Sequence, residues 1–229
     1  MGNAMRIVPV TRVDQTRFAI LLEIFSRKLP PGARIVEAKF AEMLGVSQAT
    51  VNAALQDLSA QGVVTKILNR STNVSRYSLK HVQDLFAVRR VLEPAAAAAA
   101  AAAVDPEGLA ALSNRVSEMR TAAMNRDSAR FCLADYSFHQ ELFQQTENPF
   151  LIQACNAIAA APFAYLLCGT AEKLRTDYSA LAEDHQAIVD ALRTGPDTTE
   201  RVMREMVEHW LQHSINALPE SAVMSGGPA

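Results

Sequence analysis

The sequence predicts a mainly α protein in two parts: an N-terminal winged helix-turn-helix and a C-terminal antiparallel all-α bundle of about six helices. In the first third of the 229-residue chain, three segments with helical spacing precede two short β-branched segments. The remainder repeats helix-start signals and has no convincing strand. Charge is also uneven, because residues 1–76 hold ten Lys and Arg against five Asp and Glu, whereas residues 77–229 hold twelve against nineteen.

Three short helices are predicted at the N-terminus, over residues 11–28, 36–44 and 48–60, from apolar side chains that recur at helical spacing. The breaker sequence Pro-Pro-Gly follows the first helix, and a glycine follows the third. The segment therefore has the three helices that this class of domain requires.

The link between the second and third helices has the features of a helix-turn-helix. Gly45 suits a left-handed turn position, Val46 can fill the core behind the turn, and Ser47 can cap the third helix. Val51 and Leu55 lie on one face of the third helix and would hold it on the domain. The opposite face is then predicted to be the recognition surface.

Two β-branched segments, residues 63–66 and 72–77, predict a two-stranded hairpin with residues 68–71 as its loop. Such a hairpin after the third helix is the wing of a winged helix-turn-helix. Residues 1–77 are therefore predicted to form the first domain.

The second predicted domain spans residues 78–218, and residues 219–229 form a flexible tail rich in Gly, Pro and other small residues. Its helices begin at capping residues, as at Asp105, Asp127 and Asn148, two of which precede a proline. These regular starts predict the bundle of about six helices.

Several classes of protein are not expected from this composition. No uncharged apolar run has membrane character, and the first ten residues lack the pattern of a signal peptide. The three cysteines are an odd number without CxxC spacing, which is typical of reduced thiols. These features predict a cytoplasmic protein.

The basic N-terminal domain on an acidic body predicts that only this domain meets a polyanion. On the third helix, Gln48, Ala49, Thr50 and Asn52 face away from the predicted core, towards a DNA major groove. The expected partner is therefore a double-stranded DNA operator.

The N-terminal domain resembles the GntR family of regulators over about thirty positions in order. The family pattern has a Pro-Pro-Gly break, a helix with Glu and Leu-Ala, a Leu-Gly-Val-Ser turn, and a recognition helix with Val, Ala-Leu, Leu and a closing Gly. In this chain the matching residues are Pro30, Pro31, Gly32, Ile35, Glu37, Phe40, Ala41, Leu44, Gly45, Val46, Ser47, Val51, Ala54, Leu55, Leu58 and Gly62.

The chain departs from the family in the recognition helix, where Gln48 and Asn52 stand at positions that are usually basic. No arginine lies between Arg34 and Arg70, so readout of guanine by a bidentate arginine is not expected. We predict A/T-leaning binding that weakens steeply with salt. The candidate DNA contacts are Lys39, Ser47, Gln48, Thr50, Asn52, Lys66 and Arg70.

The second domain has ionisable residues on faces that are otherwise apolar. Asp135 and His139 are four residues apart on one helix, and His185 and His209 occupy similar positions on two later helices. Burial of such groups without partners would cost several kcal/mol, so a divalent transition metal is a plausible partner. His213, one turn after His209, is an alternative to it as the last ligand.

The second domain resembles the FCD domain, the sensor half of FadR-subfamily GntR regulators. The matching landmarks, in order, are residues 89–93, 135–139, Asn148-Pro149, 185–192 and 203–209. The resemblance implies a homodimer with a metal held by Asp135, His139, His185 and His209, and with Arg89 facing a small organic or sugar acid. Zinc is the expected metal, with nickel and manganese as alternatives.

Two other interpretations remain open at this point. Three histidines and an aspartate around a metal can activate water, as in a metal-dependent hydrolase. The metal could instead only stabilise the bundle, beneath a relict DNA-binding domain. The regulator interpretation is preferred over an enzyme because it explains the basic N-terminal domain. Arg89 could also form a structural ion pair with Glu93.

Overall fold

The computed structural model describes residues 11–67, 71–158 and 178–217, without the side chains of 67, 79, 158 and 212–217. Nine helices and three short strands make up this part of the chain. This architecture confirms the predicted mainly α fold. In chain order the elements are α1 (Arg12–Phe25), β1 (Arg34–Ile35), α2 (Glu37–Leu44), α3 (Gln48–Ala60), β2 (Val64–Ile67), β3 (Ser71–Val74), α4 (Leu79–Ala103), α5 (Pro106–Met124), α6 (Ser128–Gln144), α7 (Pro149–Ile158), α8 (Tyr178–Leu192) and α9 (Pro196–Ala217).

We call the domain formed by α1–α3 and the three strands the head. Its helix-turn-helix forms as the sequence predicts. Gly45 ends α2 in the left-handed conformation at φ 63°. Ser47 then caps α3, because its hydroxyl accepts a hydrogen bond from the backbone N–H of Thr50 at 3.1 Å. Val51 and Leu55 are fully buried and fix α3 against the rest of the head.

The wing is part of a three-stranded antiparallel sheet with the order β1-β3-β2. The sequence predicted the hairpin of β2 and β3 but missed the third strand, β1. This strand pairs with β3, Arg34 with Asn73 and Ile35 with Thr72. A strand of two residues is too short to show an alternating pattern, which is why the sequence did not reveal it. The tip of the hairpin, residues 68–70, lies outside the described residues.

Six of the described helices, α4–α9, form the second domain, which we call the helical domain. Asp105 and Asp127 cap α5 and α6, through side-chain oxygens that accept from backbone N–H groups three residues on. Asn148 does the same ahead of α7. The part of the chain that the structure describes has no helix long and apolar enough to cross a membrane.

Helix α6 lies between the two domains and is buried on two sides. Phe131 and Phe138 belong to the core of the helical domain. Cys132 and Tyr136 instead join the core of the head, with residues of α1 and α3. The same helix therefore carries side chains into both cores.

Candidate metal centre and nucleic-acid interface

Helices α6 and α8 bring three of the predicted metal ligands together. Asp135 and His139 extend from successive turns of α6, and His185 extends from α8. All three side chains are fully buried. One potential ligand atom from each lies within 4.8 Å of those of the others.

The orientation of His185 is fixed by a backbone contact. Its Nδ1 lies 2.8 Å from the carbonyl oxygen of Leu181. A carbonyl can only accept, so Nδ1 carries the proton and Nε2 of the neutral ring has a lone pair. That Nε2 lies 2.8 Å from Oδ1 of Asp135, which also has only lone pairs when ionised. A proton or a cation must therefore lie between them.

The electrostatics of Asp135 and His185 agree with this geometry. Burial alone would raise the pKa of Asp135, but His185, with smaller effects of His139 and Arg89, outweighs it and holds that pKa below the usual 3.8. Burial would likewise lower the pKa of His185, and Asp135 outweighs it, so that pKa is raised. Each residue thus favours the charged form of the other in the metal-free protein.

His139 behaves differently, although it belongs to the same cluster. Its Nε2 lies 3.9 Å from Oδ1 of Asp135, and its ring lies 5.5 Å from that of His185 at 81°. Burial lowers the pKa of His139 to about 4, despite the opposing effects of Asp135 and Glu93. His139 is therefore neutral at physiological pH, as a metal ligand must be.

The donor set suits a divalent transition metal. Two imidazoles and one carboxylate are ligands that zinc and its neighbours accept. The bond from His185 to a backbone carbonyl is the kind of outer contact that orients a ligating histidine. Apart from the contact with His185, neither carboxylate oxygen of Asp135 has a hydrogen-bond partner among the described residues. The cluster therefore fits a metal.

Next to this cluster, Arg89 forms a buried ion pair with Glu93. Nε and Nη2 of Arg89 lie 2.6 Å and 2.9 Å from the two carboxylate oxygens, and the exposed fractions of the two side chains are 1% and 0%. The guanidinium also lies over the ring of Phe86, 4.8 Å from its centroid. The structural ion pair considered from the sequence is thus present, and it occupies two nitrogens of Arg89.

His209 does not lie on the inward face that the sequence predicted. Its side chain is exposed, and its ring packs edge-on against Trp210. Among the described side chains of α9, the buried ones are Thr199, Met203, Met206, Val207, Trp210 and Leu211. His209 falls beside this stripe because α9 is rotated by a fraction of a turn from the predicted register. The side chain of His213 lies outside the described residues.

The predicted DNA-contacting residues that the structure describes differ in exposure. Lys39, Ser47 and Gln48 are exposed, whereas Thr50 and Lys66 are half-buried. The hydroxyl of Ser47 also lies 2.8 Å from that of Thr50, so these two groups are partners of each other. Arg70 lies outside the described residues.

Asn52, predicted to read adenine, is held by neighbouring side chains. Its Nδ2 donates to both carboxylate oxygens of Glu37, at 3.1 Å and 3.2 Å. Its Oδ1 accepts from Nε2 of Gln56 at 3.0 Å. Bidentate adenine readout uses both ends of the amide, and here each end already has a protein partner.

Sequence reasoning missed the roles of Glu37 and Tyr136. Nothing in the pattern links Glu37 on α2 with α3, because they are far apart in sequence. Tyr136 left a signal, since Cys132 and Tyr136 form a second pair four residues apart, beside Asp135 and His139. Two such pairs on one helix indicate burial on two sides.

Comparison with known proteins places both halves of the chain. The family described as bacterial regulatory proteins, gntR family, matches residues 14–74, and the FCD domain matches residues 84–210. A protein of Paenarthrobacter nicotinovorans named "Probable D-xylose utilization operon transcriptional repressor" is 30% identical over 227 residues, which are 99% of this chain and 96% of that protein.

Solved structures share the fold. E. coli McbR/YncC superposes with a TM-score of 0.67 at 20% identity and covers 90% of this chain and 96% of its own. A transcriptional regulator GntR from Rhodococcus sp. RHA1 gives a TM-score of 0.69 at 20% identity, with coverage of 91% and 99%. At such identities the likeness concerns the fold alone.

Proposed function

Because the chain belongs to the GntR family and carries an FCD domain, we propose that it is a transcription regulator that responds to a divalent metal and a small acid. Its family membership and its curated relative make it a transcriptional regulator and not an enzyme, as predicted. The observation that carries the rest of the proposal is the buried cluster of Asp135, His139 and His185.

The metal would be held by these three residues, with His213 proposed as a fourth ligand in place of His209. Zinc is the proposed ion, with nickel or manganese as alternatives. When bound, the metal supplies positive charge and open coordination positions for an oxygen ligand. The protein's part is to hold two neutral imidazoles and a carboxylate in a dry pocket and to orient His185 through Leu181.

We propose a small organic or sugar acid as the effector. The relative named for D-xylose utilization favours an acid related to a sugar. Arg89 is the candidate partner for its carboxylate, provided that Glu93 gives up part of the ion pair. Arg89 helps to lower the pKa of Asp135, and Glu93 and Arg89 act in opposite senses on the pKa of His139, which supports one shared site.

Operator DNA is the partner of the head, as it is for GntR regulators. We assign base reading chiefly to Gln48, which is exposed at the start of α3, and backbone contact to Lys39, Lys66 and Arg70. A homodimer acting in the cytoplasm is proposed, because two heads would match a two-fold operator. The division into residues 1–77, 78–218 and a tail of 219–229 also remains a proposal.

Zinc titration by calorimetry of metal-stripped protein tests the site. We expect one zinc per chain, and at least roughly a 100-fold loss of affinity in Asp135→Ala/His185→Ala, because only one of the three identified ligands remains. The control Asp190→Ala/His209→Ala removes the same residue types at exposed positions and should bind like wild type. Equal affinities in both double variants would contradict the site.

The effector is tested by thermal shift against sugar acids and small carboxylates, with and without chelator. We expect a stabilising acid only in the zinc-loaded protein. If zinc binds as expected but no acid changes either the melting temperature or the affinity for DNA, the metal only stabilises the bundle.

A further inference from the structure

Helix α6 carries neighbouring residues into two different environments. Asp135 points into the metal cluster, whereas Tyr136, the next residue, is buried in the core of the head. Successive residues on a helix point about 100° apart, so a rigid helix cannot move one without moving the other. The cluster and the head are therefore joined by a single element.

The contact that Tyr136 makes in the head lies at the end of the recognition helix. Its hydroxyl donates to Oε1 of Gln61 at 3.0 Å, and both side chains are buried. Gln61 is the C-terminal capping residue of α3. The ring of Tyr136 also packs edge-on against Phe18 of α1, at 6.5 Å between centroids. A buried tyrosine thus anchors the end of α3 and the helix behind it.

A second tyrosine contacts the same end of α3. The hydroxyl of Tyr77, which lies just before α4, donates to the carbonyl oxygen of Gly62 at 2.8 Å. Tyr77 packs on the core of the helical domain. The C-terminal end of α3 is therefore held at two adjacent residues, Gln61 by α6 and Gly62 by the entry to α4.

We infer that Tyr136 is a positioning residue for DNA recognition: through Gln61, it ties the orientation of α3 to the helix that bears Asp135 and His139. This inference rests on the proposed metal site for the signal that it transmits. Filling the cluster replaces the direct Asp135–His185 contact, which changes how α6 packs on α8. Tyr136 passes that change to α3, so metal occupancy alters the affinity for DNA.

Four single variants separate this role from simple packing. Tyr136→Phe removes only the hydroxyl, and Gln61→Met removes its acceptor. Gln61→Glu keeps an acceptor on a side chain of the same length, so it should preserve the hydrogen bond from Tyr136. Tyr178→Phe is the matched control, because Tyr178 packs on Phe131 within the helical domain.

The DNA measurement uses the duplex that the wild type enriches from a random library, titrated by fluorescence anisotropy with chelator and with zinc. We expect the two affinities of the wild type to differ at least about fivefold. The ratio of these two affinities should fall to within about twofold of one in Tyr136→Phe and Gln61→Met. It should stay at the wild-type value in Gln61→Glu and Tyr178→Phe. The coupling is overturned if Tyr136→Phe keeps the wild-type ratio. It is also overturned if wild type binds zinc and yet has the same affinity for DNA with zinc as with chelator.

Hydrogen exchange of the metal-free protein gives an answer even if zinc does not bind. Loss of one buried hydrogen bond should speed exchange in the last turn of α3 by roughly two- to tenfold in Tyr136→Phe and leave it unchanged in Tyr178→Phe. Faster exchange with no zinc binding would reject the metal site and keep Tyr136 as an anchor of α3. Equal exchange in Tyr136→Phe and wild type would reject the positioning role itself.

Discussion

At the scale of single residues, the helical domain is unusual for the ionic groups that it buries. Arg89 and Glu93 are almost completely buried, and so are Asp135, His139 and His185. A buried ion pair repays its desolvation only with good geometry, and the two-bond contact between Arg89 and Glu93 provides it. Removal of one partner is far more harmful than removal of both.

Arg89→Met should therefore lower the free energy of unfolding by about 3–5 kcal/mol, because it leaves the Glu93 carboxylate buried without its partner. The double variant Arg89→Met/Glu93→Met should recover more than half of that loss. Urea unfolding measures both. A double variant as unstable as the single one would show that the pair itself stabilises the fold.

The pKa of His139 predicts a pH dependence of stability in the metal-free protein. That pKa is about 4 in the folded chain and 6.5 without perturbation. Between these values the unfolded chain binds a proton that the folded chain does not, so acid favours unfolding. The free energy of unfolding should fall as pH drops from 6.5 to 4, by roughly 3 kcal/mol from this group.

His139→Gln is the comparison for this effect, measured by urea unfolding with chelator present. His185 acts in the opposite sense, because its raised pKa gives stability below pH 6.5 that is lost as pH rises through its folded pKa. Only the difference between wild type and His139→Gln therefore isolates His139. Parallel pH profiles for the two proteins would contradict the lowered pKa.

The sequence predicted three of these residues well, for a physical reason. A polar residue within an apolar helical face must be buried with that face, so Asp135, His139 and His185 were expected inside. The distances among them depend on how α6 and α8 pack, which no single helix encodes. The sequence also left open whether Arg89 pairs with Glu93, and only the fold shows that ion pair.

At the scale of elements, the register of α9 bears on which of its histidines is the proposed fourth ligand. His209 falls beside the buried stripe of α9, and position 213 follows Met206 by seven residues and Trp210 by three. Those intervals place the backbone at 213 near the buried side of the helix. A one-turn ambiguity of this kind arises because His209 and His213 share a face of the helix to within 40°.

We accordingly predict that His213→Ala weakens zinc binding by roughly 10- to 100-fold, whereas His209→Ala leaves it within about twofold of wild type. Calorimetry of metal-stripped protein is the measurement, and the two variants serve as controls for each other. The opposite order of effects would restore His209 as the ligand.

Other elements show which local sequence signals are enough to predict a helix or a strand. Caps at Ser47, Asp105 and Asp127 marked helix starts correctly, because a cap is a contact within a few residues. Strand β1 was missed, because two residues have no periodicity and pair only with a strand far along the chain. The dual burial of α6 depends on two domains meeting, which local patterns only suggest.

At the scale of the whole molecule, the two halves were predicted from the order of their motifs and from their charge. The basic head and the acidic body direct a polyanion to one end of the chain. The contact between the halves was not predicted, since it rests on Tyr136, Gln61 and Tyr77 meeting at the end of α3. That junction links the proposed metal site with the recognition helix.

The proposed regulator depends above all on a metal bound by Asp135, His139 and His185. Crystals of zinc-loaded protein, measured on both sides of the zinc absorption edge, test this most directly. We predict an anomalous peak between these three side chains, with Nδ1 of His185 still bonded to the carbonyl of Leu181. Zinc density elsewhere, with the direct Asp135–His185 contact intact, would contradict the account.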